Sequence, residues 1–520
     1  METERTEPVA LFMAFGTKGD VYPIAAIAAA FACDQKQYHV FLLTHSAHEV
    51  CFTSLFKSLR SHLEDRHVNF LPIKSPPVLA IFENHDSTDS PESAFSHHKR
   101  IISRAHRREC HYVVEGIFGH RATVEGDFIV INFFALEGWC LAELFRVRCV
   151  VAAPYVIPYS APLSFECQFK REFPVLYEYL QEAPVNKVCW KDVMHWMWPL
   201  FTEIWGSWRS DDLNLSPCPL TDPVTGLPTW HEWPLSPLLL YGFSKEIVEC
   251  PDYWPPNVRV CGFWFLPVEW KFSCKTCGDF SALFPCGTGS SGKRVGLCAA
   301  HVKLECFLTA SVPPVFVGLS SAGSMGFLKH PQAFVRVIQT VLEITSFRFI
   351  IFTSGYEPLD DALRASATET SLVDKKQYSE EGICLFDGRL FVFPGMIPYN
   401  WLFPRCAAAV HHGGSGSTAA ALSAGIPQVI CPFLFDQFYW AEKMSWLGVA
   451  PEPVKRVHLA PDKMDDMSIR VAANMLTKSI KDALSSEVKS RALEIAHRIS
   501  LEDGVMEAVK VLKQEMDCSS

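Results

Sequence analysis

The chain has 520 residues, of which 49% are hydrophobic and 20% charged, and its formal net charge is −10. This length predicts two domains, and the composition is that of a globular protein with large cores rather than a disordered or fibrous chain. The acidic balance argues against nucleic acid as a main partner.

The N-terminus and the longest apolar run differ from targeting and membrane-spanning segments. The N-terminal residues METERTEPVA are polar and acidic, unlike the basic and apolar layout of a secretory signal. The best candidate for a membrane span, Cys149–Phe165, is interrupted by Pro154, Pro158 and Pro162. We therefore expect a cytoplasmic protein without signal peptide or transmembrane segment, whose 19 cysteines are mostly buried thiols.

The first half of the chain alternates apolar strands with helical stretches. The predicted strands are Ala10–Phe15, Val40–Leu43, Asp127–Asn132, Cys149–Ala152 and Leu238–Tyr241, and the predicted helices are Ile24–Ala32, Ala47–Ser58 and Gly138–Phe145. Strands that are separated by helices usually pair in parallel, so this order predicts an open, doubly wound α/β domain.

The second half repeats this alternation without repeating the sequence. Its predicted strands are Val315–Gly318, Phe347–Thr353, Leu390–Phe393, Ala408–His411 and Gln428–Cys431. We expect a first domain at residues 1–270, a Cys/Gly/Ser-rich linker or insertion at 271–306, a second domain at 307–460 and a charged helical tail at 461–520.

A cysteine-rich stretch separates the two halves. Cys274 and Cys277 have the CxxC spacing of zinc ligands, and Cys286, Cys298 and Cys306 follow at irregular intervals. One interpretation is a small zinc site, and the other is a surface insertion that contains cysteines. Because no second CxxC is present, the sequence favours the insertion, and no bound metal is predicted.

Five tryptophans lie close together among helical signals: Trp190, Trp196, Trp198, Trp205 and Trp208. Trp suits the boundary between apolar and wet surroundings, so the group fits an apolar ligand pocket or a surface that touches a membrane. Ordinary core packing explains it equally well, and the sequence leaves these interpretations open.

The segment Val410–Gln437, VHHGGSGSTAAALSAGIPQVICPFLFDQ, has the order of a nucleotide-sugar site. A short strand ends in two histidines, and a Gly/Ser/Thr loop leads into an Ala-rich helix. Small residues let backbone N–H groups approach an anion, and a helix beginning near Ser417 would point its positive end at that anion. His412 can donate to a phosphate oxygen, and Asp436 and Gln437 can accept from and donate to sugar hydroxyls.

This segment resembles the donor box of UDP-glycosyltransferases with the GT-B fold, and more closely that of sterol 3-beta-glucosyltransferases. Three further blocks follow the order of that family, namely GTKGDVYP at 16–23, LYGFS at 240–244 and PPVFVG at 313–318. Four ordered blocks are far more specific than a lone glycine-rich loop. The resemblance implies an α/β fold of two Rossmann-like, doubly wound domains facing a cleft, the first binding an acceptor and the second a UDP-sugar. It also implies that the helical tail at 461–520 packs back across the domains.

The resemblance also implies roles for individual residues. The diphosphate would be held by Ser321, His412, Gly414, Ser415, Gly416, Ser417 and Thr418, and the hexose by Asp436 and Gln437. His411 is expected to be a buried histidine that ends its strand. Because no Asp-x-Asp triplet is present, neither a cofactor nor a divalent metal is predicted. The helix end and hydrogen bonds would then stabilise the departing diphosphate.

Asp20, in the GTKGDVYP block, is the candidate catalytic base that takes the proton of the attacking hydroxyl. Aspartate is ordinarily ionised at neutral pH and is a weak base. Much of the rate enhancement would therefore come from the position of Asp20 relative to the attacking hydroxyl. Three positions before Pro23, Asp20 is also a good helix N-cap. Asn132 ends the DFIVIN strand. We assign it no role in orienting the base, and its side-chain amide can instead cap the loop.

The implied function is an inverting transfer of glucose from UDP-glucose to the hydroxyl of a lipophilic acceptor, with a sterol as first candidate. The chain departs from the family pattern at Leu319–Ala322 and after Asn132 and Ala153. Two alternatives therefore stay open, a UDP-glycosyltransferase of another terpenoid or phenolic acceptor and a nucleotide-sugar-binding pseudoenzyme. The expected partners are UDP-glucose and a lipophilic small molecule, with peripheral membrane contact left open and no nucleic acid.

Overall fold

The computed structural model describes residues 5–49, 58–76, 91–119, 123–156, 161–184, 186–229, 235–271, 276–277, 298, 301–310, 312–319, 328–353, 356–370, 382–395 and 397–517. The chain divides into two compact units. The first contains residues 1–50, 58–265 and 502–520, and the second contains residues 51–57 and 266–501. Among the described residues, no helix combines the length and the hydropathy needed to cross a bilayer.

The first unit is built on a seven-stranded parallel sheet in the order β3-β2-β1-β4-β5-β6-β7. Its strands are β1 (Val9–Met13), β2 (His39–His45), β3 (Val68–Ile73), β4 (Phe128–Ile131), β5 (Arg148–Ala153), β6 (Leu238–Tyr241) and β7 (Val258–Val260). Every residue of β1, β4 and β6 is buried, which explains their continuous apolar sequence. The edge strands β3 and β7 escaped prediction because they are partly exposed and include polar residues such as Asn69 and Arg259.

Helices surround this sheet in chain order. They are α1 (Lys18–Asp34), α2 (Leu59–Glu64), α3 (Pro91–Phe118), α4 (Glu137–Phe145), α5 (Leu163–Glu172), α6 (Pro174–Gln181), α7 (Trp190–Asp192) and α8 (Glu203–Leu213). The predicted helix at Ala47–Ser58 lies mostly outside the described residues. The doubly wound α/β prediction for this unit is confirmed.

Helix α1 begins earlier than the predicted Ile24 and places Asp20 differently from an N-cap. Thr17 is the N-cap, and its hydroxyl accepts from the backbone N–H of Gly19. Asp20 is the third helical residue, and its carboxylate accepts from the backbone N–H of Thr17, which completes a capping box. This reciprocal pair starts the helix at Lys18, so Pro23 falls inside it and does not mark its beginning.

The second unit is built on a six-stranded sheet in the order β10-β11-β9-β8-β12-β13. Its strands are β8 (Val315–Gly318), β9 (Phe349–Phe352), β10 (Ile383–Leu385), β11 (Leu390–Phe393), β12 (Ala408–His411) and β13 (Gln428–Ile430). All neighbours are parallel except β10 and β11. The short β10 was not predicted, because an antiparallel edge strand of three residues has little apolar pattern.

The helices of the second unit pack on both faces of this sheet. They are α9 (Val302–Leu308), α10 (Pro331–Ile344), α11 (Glu357–Thr370), α12 (Tyr399–Leu402), α13 (Ser415–Ala424), α14 (Gln437–Trp446), α15 (Asp466–Ala483) and α16 (Ser486–Ile499). Helices α10 and α15 pack together on one face, through buried residues such as Val337 and Leu476. The other face is covered by α9, α12 and part of α13. This second doubly wound unit agrees with the predicted fold class.

The last helix, α17 (Gly504–Asp517), belongs to the first unit, where it packs on α1. The approach is close, since a Cβ on Gly504 would lie 2.4 Å from the carbonyl carbon of Gly262. Ser244 adds a hydrogen bond of 2.7 Å to Glu502. The LYGFS block therefore serves to anchor the end of the chain.

The tryptophan group lies mostly in packed surroundings. Trp190, Trp196 and Trp208 are buried, and Trp198 and Trp205 are half-buried. The Trp190 ring stacks on Phe165, and the Arg107 guanidinium lies 3.8 Å from the Trp205 ring centroid. Core packing therefore explains this group, and it offers no broad exposed indole surface.

Candidate active site

Each sheet has a point where the direction of winding reverses, and the candidate residues follow the strands at these points. In the first sheet, β1 lies between β2 and β4, and Asp20 and Asn132 follow β1 and β4. In the second sheet, β8 lies between β9 and β12, and His412 follows β12. Ligands of open α/β sheets bind at such switch points, beyond the carboxyl ends of the strands.

The loop between β12 and α13 is fixed by its first histidine. His411 is fully buried, and its Nδ1 accepts from the backbone N–H of Gly413 at 3.0 Å. The ring proton therefore lies on Nε2, which donates to the Gln428 side chain at 2.9 Å. Burial lowers the pKa of His411 to about 4. The predicted role of a buried histidine at a strand end is confirmed.

The second histidine has a different environment. His412 is 6% exposed, and its Nδ1 is buried without a hydrogen-bond partner among the described residues. Burial, and to a smaller extent the neighbouring His411, lowers the pKa of His412 to about 3, so the ring is neutral. A Cβ on Gly414 would lie 2.4 Å from Nε2, which places the imidazole against the start of α13.

Helix α13 begins at Ser415, two residues before the predicted start near Ser417. Gly413 reverses the chain with φ +85, and a Cβ there would lie 2.7 Å from Ile430. Gly414 is the N-cap and has no side chain to cap the helix. The first helical N–H groups, of Ser415, Gly416 and Ser417, are thus left for a ligand or water.

Two further features of this helix end concern the residues of the predicted diphosphate loop. Around Gly416, which is exposed, a Cβ would meet no atom within 4 Å. Thr418 is 1% exposed, and its hydroxyl is buried without a partner in the described structure. The first turn of α13 therefore has open space next to Gly416 and a buried hydroxyl on Thr418. Ser321, the remaining predicted phosphate residue, lies outside the described residues.

The acid–amide pair at the start of α14 is partly used within the protein. One oxygen of Asp436 accepts from the indole N–H of Trp440 at 3.0 Å, and Trp440 is fully buried. The side-chain oxygen of Gln437 accepts from the backbone N–H groups of Phe433 and Leu434 at 2.9 and 3.2 Å. These bonds orient both side chains. They use the Gln437 side-chain oxygen, so the amide nitrogen of Gln437 can donate to a ligand.

Asp20 is half-buried at the start of α1. Its Oδ2 accepts from the backbone N–H of Thr17 at 2.6 Å and from the Thr17 hydroxyl at 2.8 Å. Loss of hydration raises the pKa of Asp20 to about 6, and the two bonds from Thr17 only partly oppose this. Asp20 is therefore a stronger base than an ordinary aspartate, and its other oxygen is not used by these bonds.

The loop that carries Asp20 is held by Asn132. The Asn132 side chain accepts from Phe15 N–H at 3.3 Å and donates to the Phe15 carbonyl at 2.8 Å. It donates to the backbone carbonyl of Asp20 at 3.4 Å, whereas the carboxylate of Asp20 accepts from the Thr17 backbone and hydroxyl. Asn132 is therefore a loop-capping amide. Gly16, with φ +106, lets the Asp20 carboxylate approach, since a Cβ there would lie 2.6 Å from Oδ2.

A buried polar network behind this loop was not found from the sequence. His106 Nε2 lies 2.8 Å from Glu137, and its Nδ1 lies 3.2 Å from the Ser75 hydroxyl. The His106 ring contacts Phe15 edge-on at a centroid distance of 4.6 Å. His48 also contacts the Gly16 carbonyl through Nε2 at 3.1 Å. These residues are far apart in sequence, and no local motif marks them.

Aromatic side chains follow the neighbouring strands β4 and β5 of the first sheet. Phe133 lies within 6.4 Å, between ring centroids, of both Tyr155 and Trp196. Phe134 also contacts Tyr155. Phe133 and Phe134 are only half-buried. The carboxyl edge of this sheet therefore combines a basic carboxylate with apolar surface.

The sequence of the chain is similar to those of known glycosyltransferases. Residues 390–499 match the family model described as "Erythromycin biosynthesis protein CIII-like, C-terminal domain". The sterol 3-beta-glucosyltransferase UGT80B1 of Arabidopsis thaliana is 26% identical over 511 residues, which cover 96% of this chain and 67% of that protein. A sterol 3-beta-glucosyltransferase of Vanderwaltozyma polyspora is 23% identical and covers 97% of this chain. This chain spans only 34% of that yeast protein.

Solved structures show the same architecture. The calicheamicin glycosyltransferase CalG4 aligns with a TM-score of 0.56 at 14% identity, over 98% of each chain. The spinosyn rhamnosyltransferase SpnG, in its complex with thymidine diphosphate, aligns with a TM-score of 0.50 at 16% identity, over 97% of this chain and all of that one. Likeness at this identity establishes the fold. The chain has the GT-B fold and is similar over nearly its whole length to sterol 3-beta-glucosyltransferases.

Proposed function

We propose that this chain transfers glucose from UDP-glucose, with inversion, to the hydroxyl of a lipophilic acceptor, and that a sterol is the first acceptor to test. The observation that carries the proposal is the start of α13. Its N–H groups have no side-chain cap, and the neutral His412 lies against it. Uncapped helical N–H groups favour a bound anion, which supports the diphosphate of a nucleotide sugar as the ligand.

The donor would bind through its diphosphate at this helix end. The N–H groups of Ser415, Gly416 and Ser417, with the Thr418 hydroxyl, would donate to phosphate oxygens, and His412 would add one hydrogen bond. These groups would stabilise the negative charge that grows on UDP as the glycosidic bond breaks. We keep the expectation that no metal or other cofactor assists at this site, and we keep Ser321 as a candidate phosphate ligand.

The hexose would be held by Asp436 and Gln437. Since Trp440 fixes one carboxylate oxygen and two backbone N–H groups fix the Gln437 carbonyl, both side chains are oriented before a sugar binds. Such preorganisation lowers the cost of ordering side chains on binding. Neighbouring hydroxyls of glucose can donate to the carboxylate and accept from the amide.

Asp20 would accept the proton of the acceptor hydroxyl as that oxygen attacks the anomeric carbon. The bond from hydroxyl oxygen to anomeric carbon forms while the bond to the diphosphate oxygen breaks, so the configuration inverts. A base with a pKa of about 6 is ionised at neutral pH and more basic than an ordinary aspartate. Thr17 would hold one carboxylate oxygen and leave the other to take the proton.

The acceptor class is proposed from two observations of different kinds. Phe133, Phe134 and Tyr155 bring apolar surface to the strand edge that carries Asp20. The relatives that align over nearly the whole chain are named as sterol 3-beta-glucosyltransferases. Another terpenoid or phenolic alcohol would satisfy the same apolar surface. Contact with a membrane surface stays a prediction, since a lipophilic acceptor would be met there.

The test is transfer of radiolabelled glucose from UDP-glucose to a panel of sterols, non-sterol terpenoids and phenolics, each against a no-acceptor control. We expect an acceptor-dependent lipophilic product with sterols. Product with non-sterols alone would support the alternative acceptor class. Binding of UDP by calorimetry without transfer to any acceptor would instead support the nucleotide-sugar-binding pseudoenzyme and contradict the catalytic proposal.

A further inference from the structure

A second group of chemically reactive side chains lies in the second unit. Cys277, Cys298 and His301 are 2%, 8% and 5% exposed. The two sulfurs are 3.3 Å apart, and His301 Nδ1 lies 3.2 Å from Cys277 Sγ and 3.4 Å from Cys298 Sγ. We propose that these three side chains bind a structural zinc ion.

The distances suit a tetrahedral ion. Zinc binds cysteine sulfur at about 2.3 Å and histidine nitrogen at about 2.0–2.1 Å, so two ligand atoms of one ion lie about 3.5–3.8 Å apart. The three contacts are only slightly shorter, as expected for ligand atoms with no ion to separate them. An ion about 2.3 Å from each sulfur and about 2.05 Å from the nitrogen would lie about 1.1 Å outside the plane of the three atoms, which leaves a fourth position on that side.

The ligand chemistry favours zinc over magnesium and calcium. Two thiolates and one imidazole are soft and borderline donors, whereas magnesium and calcium prefer oxygen ligands. The protein contributes no carboxylate to this trio. The absence of acidic ligands makes a hard cation a poor occupant.

The sequence around the trio has the spacing of paired zinc ligands. Cys298 and His301 form a CxxH pair, and Cys274 and Cys277 form a CxxC pair that precedes it. The CxxH pair was not predicted as part of a zinc site, because it differs from a second CxxC. Cys274 lies outside the described residues.

The surroundings show what such an ion would stabilise. His301 is the residue before α9, and its ring lies 5.6 Å from that of Phe393 on β11. Cys277 and Cys298 belong to the apolar cluster that α9 forms with this face of the second sheet. An ion here would join two points of the chain about 20 residues apart and hold both on the sheet. It would therefore act on the stability of this unit.

The test is the metal content of the full chain, purified with a thiol-free reductant and without chelator. We expect about one zinc per chain by mass spectrometry. Cys277→Ser and Cys298→Ser should each lower the zinc content at least several-fold, whereas Cys306→Ser should retain it. Cys306 is the matched control, since it lies in the same segment but is exposed.

Substitution of the wild-type protein with cobalt(II) keeps the proposal testable if the serine variants fail to fold. Thiolate-to-cobalt charge-transfer absorption with tetrahedral d–d bands is expected, and zinc should abolish it in competition. Reduced, folded wild-type protein with neither zinc nor this spectrum would overturn the proposal. A Cys277–Cys298 disulfide in freshly purified protein, or full zinc content in both variants, would overturn it as well.

Discussion

The pKa of Asp20 gives a prediction in which catalysis and capping can be separated. Replacement of Asp20 by Asn preserves side-chain size and an oxygen that can accept both hydrogen bonds from Thr17. The amide cannot take a proton at any pH near neutral. If Asp20 is the base, turnover should fall about 10²–10⁴-fold while UDP affinity stays within about twofold.

The pKa of Asp20 also predicts how strongly the activity of the wild-type protein depends on pH. With a pKa of about 6, Asp20 is about 97% ionised at pH 7.5 and about 9% ionised at pH 5. The ratio kcat/KM should therefore fall about tenfold between these pH values. An aspartate at the ordinary value of 3.8 would lose less than about a tenth of its ionised form over the same range. The small residual rate of the Asn variant should lack this acid limb.

Stability gives an independent readout of the same shift. The folded protein binds the Asp20 proton more tightly than the unfolded chain, because the folded pKa is raised from 3.8 to about 6. The stabilisation from this proton is complete at low pH and is lost as pH rises between about 4 and 6. The Asn variant does not titrate, so its Tm relative to wild type should increase over that window.

The assay is initial-rate glucose transfer from about pH 5 to pH 8, with thermal melts from about pH 4 to pH 8. Asp211→Asn, an exposed aspartate on α8, is the matched control and should behave as wild type in both measurements. Near-normal turnover by a folded Asp20→Asn protein would refute the assignment of the base. It would leave the donor site untouched.

Three further substitutions address the donor site. His412→Ala removes a phosphate donor and should weaken UDP binding by about 1.5–3 kcal/mol, with the exposed His497→Ala as control; unchanged affinity by calorimetry would remove His412 from the site. Asp436→Asn keeps an acceptor for the buried Trp440 N–H, so kcat/KM for UDP-glucose should fall about 10- to 100-fold at constant UDP affinity; an equal loss of UDP affinity would make the role structural. Gly416→Ala meets no atom in the free protein and favours helix by about 0.5–1 kcal/mol, so Tm should hold or rise while UDP binding weakens; undiminished binding would show that the diphosphate does not approach this backbone.

Much of the fold could be predicted because parallel strands are buried on both faces. The strands β1, β4, β8 and β12 are short apolar runs followed by small or polar residues, and the sequence marks them directly. Edge strands such as β10 carry no such pattern. The start of α1 was misplaced because the capping box of Thr17 and Asp20 outweighs the usual meaning of Pro23.

The site was predictable where its residues are local in sequence. His411, His412 and the loop to Ser417 are contiguous, so their spacing alone indicates an anion site. The raised pKa of Asp20 could not be predicted, since it depends on burial rather than on spacing. The contact between His106 and Glu137 joins α3 to α4 across 31 residues, and only the folded chain brings them together. The proposed zinc ligands were only partly predictable. The CxxC spacing is visible in the sequence, but the second pair is a CxxH rather than a second CxxC.

The anomeric configuration of the product tests the central claim most directly. Wild-type protein should be incubated with UDP-α-glucose and the best acceptor of the panel, and the purified glucoside analysed by proton NMR. Direct displacement assisted by Asp20 predicts a β-linked glucoside as the sole enzymatic product. An α-linked glucoside, or no glucoside with any acceptor from protein that binds UDP, would contradict the account.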